Sequence, residues 1–160
     1  MDKNLENALM ENNLQLWNSV CKSDPKYLKK VTLGARSFTS IDPQYQIMSA
    51  TKAFGPVGQG WGWYAKTHFI NISNGDTAVV SEVEVWTKEQ SNRFGPFPGC
   101  RKFYDSVKGR LNEDAPKMSV TDGLTKALSH LGFNADVFLG EMDGNKYAAD
   151  SGKPASEGGW

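Results

Sequence analysis

The chain of 160 residues carries 18 basic and 18 acidic side chains, and 39% of its residues are hydrophobic. This length and composition predict one globular domain with a hydrophobic core and exclude a largely disordered chain. The zero formal net charge argues against non-specific polyanion binding over the whole surface, but a local basic groove is compatible with it.

The cysteines and the apolar pattern indicate a soluble cytoplasmic protein. Cys21 and Cys100 lie far apart without CxxC spacing, which suits a reducing compartment better than a disulfide framework. No apolar run has the length of a transmembrane helix, and the N-terminus lacks a basic start followed by an apolar block. We therefore expect no membrane association.

The first predicted element is an amphipathic helix over residues 2–20, with Leu5, Leu9 and Leu14 on its apolar face. We expect it to pack on its own domain, and packing on a neighbouring subunit is the alternative. Residues 22–36 form a basic cluster, predicted as a solvated loop with nucleic-acid contact as the alternative.

A short strand over 37–41 and a helix that ends at Gly55 are predicted next. Asp42 is expected to cap this helix, and Pro43 suits its first turn. The glycines at every second position between 57 and 63 exclude a helix there and predict a close backbone approach or a bent strand entry. Trp61 and Trp63 are predicted core or subunit-interface residues, with stacking on bases as the alternative.

Two strands, 64–72 and 77–87, flank Asn74-Gly75, the strongest short signal for a hairpin. Val79, Val83 and Val85 share one face of the second strand, which we expect to be buried beneath an antiparallel sheet.

Residues 91–114 are predicted to form a long loop in which cations alternate with aromatic residues. This composition is typical of surfaces that bind single-stranded nucleic acid, because cations follow phosphates and rings stack on bases. The candidate contacts in the loop are Arg101, Lys102, Lys108 and Arg110.

A helix over about 117–132 has the clearest boundaries in the chain. Asp114 is expected to cap it, and Gly132 suits the left-handed position after its last turn. Leu124 and Leu128 lie on its apolar face, whereas the opposite face is either solvated or in contact with DNA. Asn134 is expected to cap a short helix over 135–139, and residues 151–160 are predicted to be a disordered tail.

Catalytic constellations are missing from the sequence. His68 and His130 have no metal-ligand spacing with the cysteines, and neither a nucleotide-binding loop nor a GxSxG motif occurs. We therefore predict a protein that is not an enzyme and needs no cofactor.

Residues 120–128 read Val-Thr-Asp-Gly-Leu-Thr-Lys-Ala-Leu, and a glycine follows at 132. This stretch resembles the Rad-fifty-two-like superfamily of single-strand DNA annealing proteins, whose helix reads Val-Thr-Asp-Gly-Leu-Lys-Arg-Ala-Leu. The Phe-Gly and Gly-Trp pairs between 54 and 61 and the Asn-Gly hairpin follow the same order as in that family. The chain's compact length and its Leu-Gly-Phe-Asn continuation are similar to the bacteriophage recombinase type.

The resemblance implies an α+β fold with a β-β-β-α annealing core, in which an antiparallel sheet packs on a long helix. It implies ATP-independent binding of single-stranded DNA and annealing of complementary strands in phage-type recombination or repair, by a homo-oligomeric ring or helical assembly. The annealing domain would span 1–150, with the N-terminal helix at 1–20. A single-strand binding protein or an exonuclease is a candidate partner, and the location would be the host bacterial cytoplasm.

The resemblance also assigns groove positions residue by residue. The family's lysine before the helix falls on Lys117, and one basic residue within the helix falls on Lys126. Three further groove positions, basic in the family, fall on Thr125, Ser129 and Tyr45, so the local charge is lower here. Thr121 is a further candidate on the same helix face. The expected track therefore joins Lys117 and Lys126 to the cations of 101–110.

Two other classes of function stay open at this stage. A passive single-strand binding protein would stack bases on Trp61, Trp63 and the loop aromatics and would hide the base edges. A structural oligomer or protein-interaction module would suit the zero net charge.

Overall fold

Helices and antiparallel strands form an α+β fold in the computed structural model, which describes residues 2–142. In chain order, the elements are α1 (Lys3–Val20), a 3-10 turn (Pro25–Tyr27), β1 (Leu28–Leu33), β2 (Arg36–Ile41), α2 (Pro43–Phe54), β3 (Trp61–Asn71), β4 (Thr77–Thr87), β5 (Arg93–Asp105), β6 (Arg110–Leu111), α3 (Ala115–Ser129) and α4 (Ala135–Phe138). The predicted tail at 151–160 and the end of the predicted 1–150 domain lie outside the described residues. No helix within 2–142 is both long and apolar enough to cross a membrane.

The main sheet has the strand order β3-β4-β5-β6, and all its pairs are antiparallel. Its first two strands are the predicted hairpin, which pairs from Trp61↔Thr87 to Asn71↔Thr77. Val79, Val83 and Val85 are fully buried, as the alternation on β4 predicts. Because residues two apart on a strand point to the same face, these valines define the side that α3 covers.

Helix α3 lies very close to the sheet because two glycines meet where the elements cross. A Cβ atom at Gly123 would lie 2.5 Å from Val83 Cγ2 and 2.9 Å from the Phe97 carbonyl oxygen. A Cβ atom at Gly99 on β5 would overlap the Ser119 carbonyl oxygen. The glycine inside the helix motif therefore sets the distance between helix and sheet.

Strand β5 corrects the prediction of a long loop over 91–114. The run from Gly95 to Gly99 contains two prolines and two glycines, so it shows none of the usual period of two. A register shift between Val83 and Val85 of β4 accommodates it. Proline has no N–H to donate, and it is tolerated here because the outer side of this part of β5 has no partner strand among the described residues.

The predicted loop over 22–36 is also wrong, because it contains a turn and strand β1. The exposed Lys29 and Lys30 interrupt the apolar pattern of this strand. The predicted strand over 37–41 is confirmed as β2, which pairs with β1 from Leu28↔Ile41 to Leu33↔Arg36. The two strands form a separate hairpin, which we call the β1–β2 hairpin.

The structure confirms the predicted N-terminal cap of α2 but not those of α3 and α4. Asp42 accepts hydrogen bonds from the backbone N–H groups of Gln44 and Tyr45, which confirms the predicted cap of α2. Asp114 makes no side-chain cap bond to α3, because its carboxylate pairs with Lys117 Nζ at 2.7 Å instead. Asn134 does not cap α4 either, since its side chain joins buried hydrogen bonds elsewhere.

Helix α1 packs on the domain only near its C-terminal end. Trp17 lies against Gly132, whose φ of +98° takes the predicted left-handed conformation. Leu5, Leu9 and Leu14 are about half exposed, and α1 contains no buried residue. The expectation that this helix packs on its own domain therefore holds for its last turns alone.

Candidate nucleic-acid interface

A groove of about 740 Å³ lies between the β1–β2 hairpin and the exposed side of α3. We call it the hairpin groove. Its lining residues come from β2, the start of α2, β5, α3 and α4, and they are Arg36, Phe38, Thr39, Ser40, Ile41, Pro43, Arg101, Lys117, Met118, Thr121, Asp122, Thr125, Val137 and Phe138. Four of the ten residues predicted to bind DNA are in this set, namely Arg101, Lys117, Thr121 and Thr125.

The hairpin groove is lined by three cations and one carboxylate. Lys117 and Thr121 stand one turn apart on α3, which the spacing of four residues requires. Arg101 reaches the groove from β5, because it lies opposite the buried Val79 and so points to the side that α3 covers. Arg36 enters from β2, with its guanidinium carbon 5.9 Å from the ring centroid of Phe38. Cations therefore face the groove from both walls.

Carboxylates already occupy two of these cations. Arg101 holds Asp122 through two contacts, Nε to Oδ2 at 2.6 Å and Nη2 to Oδ1 at 2.7 Å. Lys117 pairs with Asp114, and both of these side chains are mostly exposed. Arg36 makes no ion pair with any residue of 2–142. The groove is basic, but internal counterions partly neutralise it.

Four predicted contacts carry a hydroxyl, and all of them except Tyr45 already donate the hydroxyl hydrogen to a protein oxygen. Thr121 donates to the Lys117 carbonyl at 3.0 Å, and Ser129 donates to the Lys126 carbonyl at 2.6 Å. Thr125 donates to the Gln46 side-chain oxygen at 2.7 Å. A hydroxyl has one hydrogen, so while these bonds persist the cations are the groups of the groove that could donate to an anion.

Thr125 is the outer end of a buried chain of polar side chains. Gln46 donates to Asn134 at 3.2 Å, Asn134 donates to Ser23 at 2.9 Å, and Ser23 donates to Asp136 at 2.6 Å. Gln46, Asn134 and Asp136 are buried. This series of hydrogen bonds joins the segment after α1 to α2, α3 and α4, and so it fixes the helical wall of the groove.

Lys126, Ser129 and Tyr45 lie outside the lining of the hairpin groove. Lys126 is exposed and follows Asp122 by one turn of α3, beyond the residues that line the groove. The Tyr45 ring stacks on Tyr27 with centroids 4.4 Å apart, and its hydroxyl accepts the Asp24 N–H at 2.9 Å. Tyr45 therefore holds the turn before β1 against α2.

The other three predicted contacts, Lys102, Lys108 and Arg110, line a second depression of about 360 Å³ around the β5–β6 turn. Successive side chains of a strand point to opposite faces, so Lys102 points away from the groove that Arg101 enters. The predicted track of cations through 101–110 assumed that these residues form a loop. Because β5 is a pleated strand, its cations are divided between two surfaces instead.

Lys102 is engaged by carboxylates in this second depression. Its Nζ lies 2.9 Å from Asp76 Oδ2 and 3.5 Å from Asp105 Oδ2. The backbone N–H of Ser106, and then Lys102, hold the pKa of Asp76 well below its usual range. Hydrogen bonding to Asp76 raises the pKa of Lys102. A phosphate at Lys102 would compete with a buried carboxylate, whereas Lys108 and Arg110 of the same depression make no ion pair with any residue of 2–142.

Phe38 and Asp122 are not among the predicted contacts, and Arg36 is covered only by the alternative interpretation of the 22–36 cluster, in which it contacts nucleic acid. Arg36 belongs to the first basic cluster, but nothing local indicates that β2 faces α3. Asp122 stands inside the helix motif itself, and its pairing with Arg101 connects residues 21 positions apart.

Trp61 is fully buried, which confirms a core position and removes it as a stacking surface for bases. Phe38 and Phe138 are the aromatic residues that line the hairpin groove. No group of three or more His, Cys, Asp or Glu side chains within 2–142 is placed to hold a metal ion.

The chain matches no protein-family model, and a search of curated proteins finds no significant match.

Proposed function

We propose that the chain binds single-stranded DNA in the hairpin groove and anneals complementary strands without a nucleotide cofactor. The observation that carries this proposal is the lining of the groove, where Arg36, Arg101 and Lys117 stand among apolar and aromatic side chains. Cations neutralise phosphates and rings stack on bases, so the two kinds of side chain together suit a single strand.

The order of elements supports the same proposal. Strands β3, β4 and β5 precede α3, which carries the Val-Thr-Asp-Gly-Leu motif, and this is the order that the resemblance to annealing proteins implies. Gly123 of that motif lies at the crossing of helix and sheet, whereas Asp122, one residue before it, and Thr125, two residues after it, line the groove. The motif thus combines packing with groove lining in one turn of helix.

Oligomerisation to a ring or helical assembly is part of the proposal. Strand β3 is 11 residues long and has β4 as its one partner strand within 2–142. An unpaired strand edge is a template for pairing with another chain, so a second copy could extend the sheet there. A single-strand binding protein or an exonuclease is proposed as a recombination partner, in a bacterial cytoplasm.

Annealing would need no covalent step. Neutralising phosphates reduces the repulsion between two strands, and holding one strand extended raises the chance that a complementary strand pairs in register. A positive groove on a protein of zero net charge confines this effect to one surface.

The test is a pair of groove variants, Arg36→Gln and Lys117→Gln, with Lys66→Gln on the opposite face of the sheet as the matched control. Each groove variant should flatten the slope of log affinity against log salt by about 0.7, the value for one lost phosphate contact on a single strand. The Lys66 variant should keep the wild-type slope. Unchanged slopes in both groove variants would refute this site.

A passive coating function is the second candidate, because Phe38 and Phe138 in the groove could stack bases and hide their edges. Fluorescence-monitored pairing of two complementary oligonucleotides without ATP separates the two functions. An annealing protein accelerates pairing relative to DNA alone, whereas a passive coat slows it.

A further inference from the structure

The Arg101–Asp122 pair is the most tightly held charge pair in the hairpin groove. Its two short contacts match the planar fork of a guanidinium to both oxygens of a carboxylate. Phosphate offers the same pair of oxygens to arginine, so Asp122 occupies the geometry that a strand phosphate would take.

The pair is nevertheless accessible to a ligand. The Arg101 side chain is 43% exposed and the Asp122 side chain is 34% exposed, and both line the groove. An ion pair with this exposure is screened by water and contributes little to stability, so its exchange for a phosphate costs little. In the Asp76–Lys102 pair the carboxylate is 7% exposed, although the lysine is 55% exposed, so removing the lysine from this carboxylate would be harder.

Asp122 opposes DNA binding in two ways while it stays in place. It cancels the charge of Arg101, and its own negative charge stands in the groove where phosphates would lie. Among the lining cations, Lys117 has a mostly exposed partner and Arg36 has no ion-pair partner within 2–142. Arg101 is therefore the cation whose availability depends most on its counterion.

We propose that Asp122 is an internal competitor of the DNA backbone, which holds Arg101 until a phosphate displaces it. This rests on the proposed function of the hairpin groove. Asp122 thereby sets the affinity for single-stranded DNA below the value that the three cations would give alone. An annealing protein benefits from this, because it must release the paired product, and the returning carboxylate favours release.

The experiment compares wild-type protein with Asp122→Asn, which keeps the size of the side chain and removes its charge. The probe is an oligothymidine of about 30 nucleotides, a length that exceeds the site of a single binding domain. D122N should bind about two- to fivefold more tightly, the range expected for loss of an exposed ion pair. Its salt slope should be steeper by about 0.7 because one more phosphate is neutralised.

Two controls separate competition for Arg101 from a general change of charge. Glu89→Gln removes one negative charge from the exposed turn after β4, outside the groove lining, and should leave affinity and slope unchanged. In an Arg101→Gln background, the D122N substitution should no longer steepen the slope. Should D122N unfold, as judged by circular dichroism, Asp122→Ser removes the same carboxylate and should give the same gain.

The outcomes distinguish this inference from the proposed function. Wild-type binding with no gain in folded D122N overturns the competitor role and leaves the groove assignment intact. A steeper salt slope for D122N that persists in the Arg101→Gln background overturns it as well, because Arg101 would then not be the cation that Asp122 holds. Binding by D122N alone contradicts DNA binding by the wild-type chain and the displacement of Asp122 by a phosphate, and absence of binding in both proteins refutes both proposals.

Discussion

Replacing Gly123 with alanine should destabilise the protein, although alanine is the better helix former. Gly123 lies within α3 and is buried against β4 and β5. In a solvent-exposed helix, the change from glycine to alanine stabilises by about 1 kcal/mol. Here the added Cβ would lie 2.5 Å from Val83 Cγ2 and 2.9 Å from the Phe97 carbonyl oxygen.

The contact with the Phe97 carbonyl oxygen decides whether the substitution stabilises or destabilises the protein. The Val83 methyl belongs to a side chain that has some freedom to move, but the Phe97 oxygen belongs to the backbone of a paired strand. The helix must therefore shift away from the sheet, and overpacking of this kind costs about 1–3 kcal/mol. The gain in helix propensity offsets part of this cost. Because the contact is with the backbone of a paired strand, we expect the cost to lie in the upper part of its range and the net loss of stability to be about 1–2 kcal/mol.

Urea unfolding followed by far-UV circular dichroism measures this loss directly. For a chain of this length, the midpoint of thermal unfolding should fall by about 2–8 °C. Ser129→Ala, near the exposed end of the same helix, serves as the control for propensity and should change stability little. If the Gly123 variant were as stable as the wild-type protein, or more stable, close contact between α3 and the sheet would not be the reason for this glycine.

Two further predictions concern groups that accept buried hydrogen bonds. Asp76→Asn should make the free energy of unfolding less sensitive to acid. The pKa of Asp76 is depressed in the folded state, so the ionised carboxylate stabilises the fold above its ordinary pKa of 3.8, and this stabilisation is lost as the pH falls below that value. Thermal unfolding at pH 7 and pH values below about 4 should show a smaller decline in the variant, and an equal decline would contradict the role of Ser106 and Lys102 as its partners. Thr125→Val should cost about 1–3 kcal/mol in urea unfolding, because the Gln46 side-chain oxygen would be buried without a donor. If Thr125→Val costs nothing when it is made in a Gln46→Leu background, the Gln46 side-chain oxygen is the cause of the loss.

Local chemistry in the sequence predicted several elements well. The Asp42-Pro43 pair located the start of α2, because a cap and a proline act within one turn of the residues they affect. The alternation on β4 predicted which face is buried, since it depends on the pleat alone. The same reasoning failed at Asp114, where a lysine three residues later offered the carboxylate a competing partner.

The elements that sequence reasoning missed depend on contacts between distant residues. Strand β5 follows no period of two through Gly95 and Gly99, and it exists because β4 supplies its partner and α3 covers it. The groove needs β2 and α3 to face one another, and no local pattern fixes their relative position. The helix motif therefore pointed to residues that line one wall of the groove, and their contact with DNA stays a prediction; the other wall, with Arg36, follows only from the fold.

The buried polar chain that ends at Thr125 has a direction as well as a path. Each member donates toward the next one, from Thr125 through Gln46, Asn134 and Ser23 to the carboxylate of Asp136. An ionised carboxylate only accepts hydrogen bonds, so the whole series is polarised toward it and cannot be reversed while Asp136 keeps its charge. Thr125 consequently presents lone pairs to the groove, and a ligand group that meets it there must be a donor, such as the amino group of a base. A carboxylate remote from the groove thus decides that Thr125 can offer only an acceptor to a ligand.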